Sequence, residues 1–180
     1  MKNIQLHLGC GNKILDGWVN LDIQPGVGVD IVDNASTLSK IENSSCSIIY
    51  ASHILEHFGR AEITDVLQTW TTKLKKGGIL RLSVPDFTQV IKRYNQTEDL
   101  SEVLGLLVGG QRDKYDIHKM VFDKNILTNY LIKLGYCNIK SWDWRKTNHH
   151  NYDDYSQAYL PHMEKESGML MSLNLEAVKE

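Results

Sequence analysis

Residues 4–12 read Ile4-Gln5-Leu6-His7-Leu8-Gly9-Cys10-Gly11-Asn12, and this stretch decides how the rest of the chain is read. Ile4, Leu6 and Leu8 alternate onto one face, the two-residue period of a strand. The strand runs directly into a Gly-x-Gly turn. Glycine there frees the backbone to turn sharply and lets a ligand approach it closely, because no Cβ stands in the way. A first strand ending in such a turn is the opening of an open parallel sheet, in which ligands bind outside the carboxyl ends of the strands.

Outward from that turn, strand-like and helix-like segments alternate, which predicts an α/β layout. Val19–Ile23, Val27–Val32 and Ser47–Ala51 read as the next strands, and Ser36–Ile41 as a short helix. Ala61–Lys75 is the clearest helix, with Ile63, Val66, Leu67, Trp70 and Leu74 on one stripe. Lys73, Lys75 and Lys76 suit its negative end, and Gly77-Gly78 are expected to supply a left-handed cap. Ile79–Val84 is a fifth strand, stopped by Pro85. Residues 87–108 read as helical with a break near Asn95–Asp99, Lys124–Leu134 as a further helix, and Cys137–Trp144 and Leu170–Val178 as the last strands. Between those two lies a polar, aromatic-rich segment, 145–168, too long for a hairpin turn. Without repeats or a low-complexity linker, 1–180 is expected to be one domain carrying 145–168 as an insertion.

The chain has 180 residues, 42% hydrophobic and 23% charged, with 20 basic against 22 acidic residues. That length suits one domain with a full core, and the charge balance leaves no footprint for nucleic acid. No apolar run reaches a membrane span, and residues 1–8 lack the apolar stretch of a secretion leader. Cys10, Cys46 and Cys137, odd in number and widely spaced, form neither a disulfide framework nor a zinc knuckle. A cytoplasmic protein, without membrane or nucleic-acid partners, is expected.

Each of the first five strands is followed by residues able to bind or react: Gly9 to Asn12, Asp22, Asp33-Asn34, Ser52-His53 and Pro85-Asp86. Any one alone is weak; five on one sheet edge describe a site. A dinucleotide site would want a third glycine and an acid about 20 residues beyond, on the far side of a helix under the pyrophosphate. Here Lys13-Ile14-Leu15 replaces the glycine, and Asp22 follows Gly11 by only 11 residues. The site is therefore expected to take an adenosine without a pyrophosphate, which points away from NAD and toward S-adenosylmethionine.

LHLGCGN (6–12), NLDI (20–23), SHILEHF (52–58) and LKKGGILRLSVPD (74–86) resemble the class I S-adenosylmethionine-dependent methyltransferases, in particular a small bacterial branch with a GW-x-N-x-D segment, here Gly17 to Asp22. The resemblance is good over residues 4–86 and looser through 109–123 and 131–136. It implies a Rossmann-like, doubly wound, seven-stranded, mostly parallel sheet whose last strand is antiparallel. It also implies cofactor contacts from His7 (where the family often has an acid), Gly9, Cys10, Gly11, Asn12, Asp22 to the ribose, Ile23 to the adenine, Asp33, Asn34, Ser52 and His53. Asp33 is either an acceptor for the adenine amino group or a turn cap. Lys13 could meet the methionine carboxylate. No metal is implied.

Methyl transfer from a sulfonium needs alignment, water exclusion and, for an alcohol, a base. His53 is the first candidate base, Asp86 the second and His118 the third. The expected reaction places a methyl group on oxygen or nitrogen of a small molecule such as a sugar or glycan precursor. The rivals are a non-catalytic S-adenosylmethionine- or S-adenosylhomocysteine-binding protein and, further off, a nicotinamide oxidoreductase. Glu56 and His57 read as structural, and Cys10 as a small spacer. The four tryptophans read as packing. His149, His150 and His162 with Asp153 and Asp154 match no standard metal spacing. With the chain starting on its first strand, a roof over the site is expected from 87–123, from 145–168 or from a second subunit. Tyr152, Tyr155 and Tyr159 would serve a homodimer.

Overall fold

The computed structural model describes residues 3–180, so the leader-free reading of 1–8 rests partly on residues outside that range. The elements are β1 (Ile4–Leu8), β2 (Val19–Asp22), β3 (Ile31–Val32), β4 (Cys46–Ser52), α1 (Ile63–Lys73), β5 (Leu74–Pro85), α2 (Phe87–Thr97), α3 (Leu104–Val108), α4 (Lys124–Lys133), β6 (Tyr136–Ser141), β7 (Tyr159–Leu160), β8 (Met169–Leu170) and β9 (Ser172–Lys179). Seven strands form one sheet in the order β3-β2-β1-β4-β5-β9-β6. The first five run parallel, with Leu8 level with both Leu21 and Ala51. β9 inserts antiparallel between β5 and β6, pairing Leu82 with Leu175 and Cys137 with Val178. This is the expected α/β, Rossmann-like sheet, and its order reverses direction at β1, where a ligand crevice opens.

Alternation along the strands gives the sheet two different faces. Leu6, Leu8, Ile49, Ala51, Leu80, Leu82 and Leu175 point to one side, where Leu67 and Trp70 of α1 and Leu127 and Leu131 of α4 cover them. On the other side His7, Tyr50 and Arg81 meet the 142–159 segment instead of a helix. Tyr50 packs edge-on to Trp18 and Trp142, and the Arg81 guanidinium lies 5.3 Å over the Trp142 ring. Asp154 accepts the Tyr50 hydroxyl hydrogen bond, and Asn174 of β9 donates to the Ser156 carbonyl at 3.0 Å. The long aromatic insertion is thus the second layer of the domain, with the small β7–β8 hairpin inside it.

Four expectations about elements change. Ser36–Ile41 is not helical, because Asn34 draws the chain into turns: its side chain accepts from the Ser36 amide and hydroxyl, and its carbonyl from Thr37 and Leu38. β3 shrinks to two residues, and Val27 is 98% exposed in the loop before it. Gly77-Gly78 do not cap α1; the chain leaves the helix extended at Leu74 and enters β5 at once, with Gly77 (φ +73) near the register shift against β4. β6 stops at Ser141, since Asp143 caps a 3-10 turn that begins at Trp144.

The aromatic layer buries a titratable ring with a legible effect. His149 lies 4.6 Å from the Tyr50 ring, its Nε2 has no partner, and burial pushes its pKa down to about 4. The unfolded chain, with histidine near 6.5, takes up this proton first as pH falls. The part of the stability that depends on His149 is therefore expected to be complete above about pH 6.5 and to be lost progressively toward pH 4. Urea unfolding across that range checks this, and His149→Phe should flatten the slope; an unchanged slope would remove the assignment.

Candidate functional site

The carboxyl ends of β1, β2 and β4 open onto a cleft of about 1020 Å³, lined by Gly9, Gly11, Asp22, Ile23, Ile54 and Phe58 among others. Gly9 holds φ +60, a conformation that favours glycine, and a Cβ there would fall 1.8 Å from Ile54 Cδ1 unless that side chain moved. Gly11 holds φ +51 and faces open space. Its amide donates to Asp22 Oδ2 at 2.8 Å, while the Gln24 amide donates to Asp22 Oδ1 at 2.9 Å. The carboxylate is thereby fixed at the cleft edge, and each oxygen keeps a lone pair for a ligand hydroxyl. Ile23, 38% exposed, supplies an apolar surface beside it. Asn12 and Asn34 line the same cleft.

The ten residues of the first crossover, 9–18, contain no helix. Asn20 holds them in place: its Oδ1 accepts from the Leu15 amide at 2.9 Å and its Nδ2 donates to the Leu15 carbonyl at 3.1 Å. This is the physical use of the asparagine in the Gly17–Asp22 segment.

Both intramolecular sources expected for a roof contribute to it. Residues 112–116 and Lys119 lie over the cleft, with Arg112 and Asp116 paired at 2.6 Å, and Tyr155 reaches in from the aromatic layer. Lys119 and Met120 donate their amides to the Glu56 carbonyl at 2.8 and 3.1 Å, which ties this loop to the turn after β4. Of the tyrosines expected at a subunit interface, Tyr159 is 7% exposed and Tyr152 accepts from the Ile14 amide within the chain. Tyr155, 56% exposed, lines both the cleft and the smaller cavity beside it.

A second cavity of about 570 Å³ adjoins the first, sharing His57, Arg112, Asp116 and Tyr155 with it and lined further by Lys13, His53 and His118. His53 begins the turn after β4 in the left-handed region (φ +53), a conformation that non-glycine residues hold at a cost and that clusters at working sites. Its amide donates to Ser83, and its ring lies against Ser172 at 3.0 Å and Glu56 at 3.3 Å. Burial, reinforced by the neighbouring His118 and His57, drives His53 down to about 3, and burial drives Glu56 up to about 8. Burial also lowers His118 and His57.

Gly9, Gly11, Asn12, Asp22, Ile23 and Asn34 therefore meet in one cleft, and His53 and His118 in the next. Five other expected residues line neither. His7 lies in the aromatic layer, stacked on Tyr50 and bonded to Asn20 at 3.1 Å. Cys10 is buried, its thiol pushed up to about 11 by burial and the nearby Asp22. Asp33 accepts from the amides of Asn34 and Lys40 and the hydroxyl of Ser39; these bonds outweigh partial burial and hold it below the usual range. It is the turn cap of the two readings. Ser52 is buried with its hydroxyl unpartnered. Asp86 caps α2 through the Thr88 amide at 2.9 Å. Among the aromatic-segment residues weighed for a metal, His149 is enclosed by rings, His150 bonds Thr147, Asp153 pairs with Lys165 and Asp154 bonds Tyr50.

Glu56 and His57, which read as structural in the sequence, complete the polar knot between the cavities. The readable signal was His53-x-x-Glu56-His57 directly after a buried strand: spacings of three and four bring these side chains together on one turn.

No protein-family model matches the chain, and no curated protein matches it. Solved structures do match in fold. A SAM-dependent methyltransferase from Archaeoglobus fulgidus superposes with a TM-score of 0.62 at 14% identity, over 99% of this chain and 86% of that one. A Thermotoga maritima SAM-dependent methyltransferase, described as a possible histamine N-methyltransferase, gives 0.62 at 13% identity, over 100% and 84%. A third, from Mesorhizobium loti, gives 0.54 at 14% identity, over 98% and 90%. At these identities the likeness is one of fold, and it extends along nearly the whole chain.

Proposed function

We propose that the protein is an S-adenosylmethionine-dependent methyltransferase that acts on oxygen or nitrogen of a small molecule, such as a sugar or glycan precursor. The observation that carries this reading is the Gly9–Gly11 turn hydrogen-bonded to Asp22 at the mouth of a cleft large enough for a nucleoside. Solved methyltransferases of the same fold support it. Asp22 would accept the two ribose hydroxyls, Ile23 would cover the adenine, and the Gly9 backbone would lie beneath the remainder. When bound, the cofactor supplies an already activated methyl group on a sulfonium.

What the chain itself must do is hold an acceptor against that group and keep water out. The second cavity, which shares His57 and Tyr155 with the first, is the place for the acceptor and favours an enzyme over a passive binder. Loop 112–119 and Tyr155 would exclude water. No helix among the described residues is long and apolar enough to cross a membrane. Three unbridged cysteines suit a reducing, cytoplasmic setting.

A titration tests the cofactor: S-adenosylmethionine and S-adenosylhomocysteine should bind one per chain, and NADH should not. Binding of NADH alone would overturn the reading. Incubating a metabolite or glycan extract with methyl-labelled cofactor, followed by mass spectrometry, should then reveal the acceptor.

A further inference from the structure

We propose that Glu56, His57 and His118 bind a divalent transition-metal ion at the wall between the two cavities, with His53 beside it. The Glu56 side chain is 1% exposed, and neither of its oxygens has a hydrogen-bond partner. An isolated buried carboxylate is costly, so its surroundings should hold a proton donor or a cation. The surroundings are ring nitrogens. Nδ1 of His53 stands 3.3 Å and Nε2 of His118 3.9 Å from Glu56 Oε1. Ligand atoms of Glu56, His57 and His118 all lie within 4.8 Å of one another.

The hydrogen bonds around the cluster fix which nitrogens carry protons. His118 Nδ1 faces the Leu106 carbonyl at 3.0 Å and His57 Nδ1 faces the Ile117 carbonyl at 3.1 Å. A carbonyl only accepts, so each Nδ1 carries the proton and each Nε2 is bare. The Ser172 hydroxyl donates its one proton to the Tyr155 carbonyl at 2.6 Å, so it accepts from His53 Nε2 and leaves Nδ1 bare toward Glu56. None of the neutral histidines thus offers a proton to the carboxylate.

Imidazoles whose other N–H is anchored on fixed acceptors, grouped with a carboxylate, are how proteins hold transition metals. Two histidines and one carboxylate suit iron, manganese, cobalt or zinc rather than calcium or magnesium. Metal–ligand bonds of about 2.0–2.2 Å set ligands about 3.4 Å apart in a tetrahedron, so side-chain shifts of about 1 Å would close the cluster. Three protein ligands leave a position open. Since His57 borders both cavities and His118 the smaller, that position falls to a molecule in the smaller cavity. One consequence rests on the methyltransferase reading: the acceptor atom is a hydroxyl oxygen, whose proton a bound cation makes easier to remove.

The rival to an ion is a proton on Glu56 shared with His53 Nδ1. Chelator-treated, untagged full-length protein should be titrated with Co²⁺, followed by its visible absorption, and with Zn²⁺ by calorimetry. One equivalent per chain is expected, with affinity about tenfold or more weaker in Glu56→Gln and in His118→Asn, both checked by circular dichroism to be folded. His149→Phe should bind as the parent does. No stoichiometric binding, or binding unaltered in both folded variants, overturns the site and favours the shared proton. S-adenosylmethionine titrated in parallel separates the two readings: metal binding without cofactor binding sinks the proposed function alone, and the reverse sinks the metal site alone.

Discussion

Asp22→Ala is expected to weaken S-adenosylmethionine binding by about 2–4 kcal/mol, or about 30- to 1000-fold in Kd. The Asp22 carboxylate is held from behind by the amides of Gly11 and Gln24, at 2.8 and 2.9 Å, so it is oriented before any ligand arrives. Two hydroxyls bonded to a charged, oriented acceptor account for the size of the loss. Alanine also frees those two amides, but both bonds are exposed and water can replace them. The fold should therefore lose no more than about 1 kcal/mol. Asp22→Asn, which keeps one acceptor oxygen, should fall between the two. Calorimetry with S-adenosylhomocysteine measures the affinity and urea unfolding the stability. An unchanged affinity in Asp22→Ala would sink the ribose assignment, and with it the observation on which the proposed function stands.

Asp22 could be placed from sequence because its signal is local: a two-residue period, a glycine turn, then an acid at the next strand end. The same holds for β1, α1 and α4, whose apolar periodicity is clear. Asp33 shows where local signals run out. An aspartate after a strand can face a ligand or cap its own turn, and only the return of Ser39 and Lys40 onto its oxygens decides for the turn. His7 misled for a related reason. It stands two residues before Gly9, yet strand alternation turns it to the face opposite Leu6 and Leu8, under Tyr50. That 145–168 forms a second layer on the sheet was not legible, because its aromatic residues have no period. Their order is set by what they cover on the sheet, from Tyr50 to Asn174. The burial of Glu56, read as structural, was not legible, since a helix-entry glutamate is ordinarily solvated and this one is covered by loop 116–120, more than fifty residues away.

That buried glutamate gives a stability change opposite in sign to its effect on function. Glu56→Met keeps nearly the same volume and removes two oxygens that have no hydrogen-bond partner at 1% side-chain exposure. Leaving a buried polar group unpaired costs about 1–3 kcal/mol, while a volume-conserving swap in a core costs under about 1.5 kcal/mol. In chelator, the variant should therefore be more stable than the parent by about 1–2 kcal/mol, a rise of roughly 2–8 °C in Tm for a domain of this size. Excess Co²⁺ or Zn²⁺ should reverse the order, because an ion bound only by the native parent adds stability in proportion to ln(1 + [L]/Kd). Methyl transfer should be lost, since the acceptor wall has lost its carboxylate. Cofactor affinity should stay within about threefold, because Gly9, Gly11 and Asp22 lie outside the knot. Differential scanning calorimetry with and without metal gives both stability comparisons. A variant less stable than the parent in chelator would mean that Glu56 is already satisfied in the native protein, and that the knot of His53, Glu56, His57 and His118 serves the fold rather than the reaction.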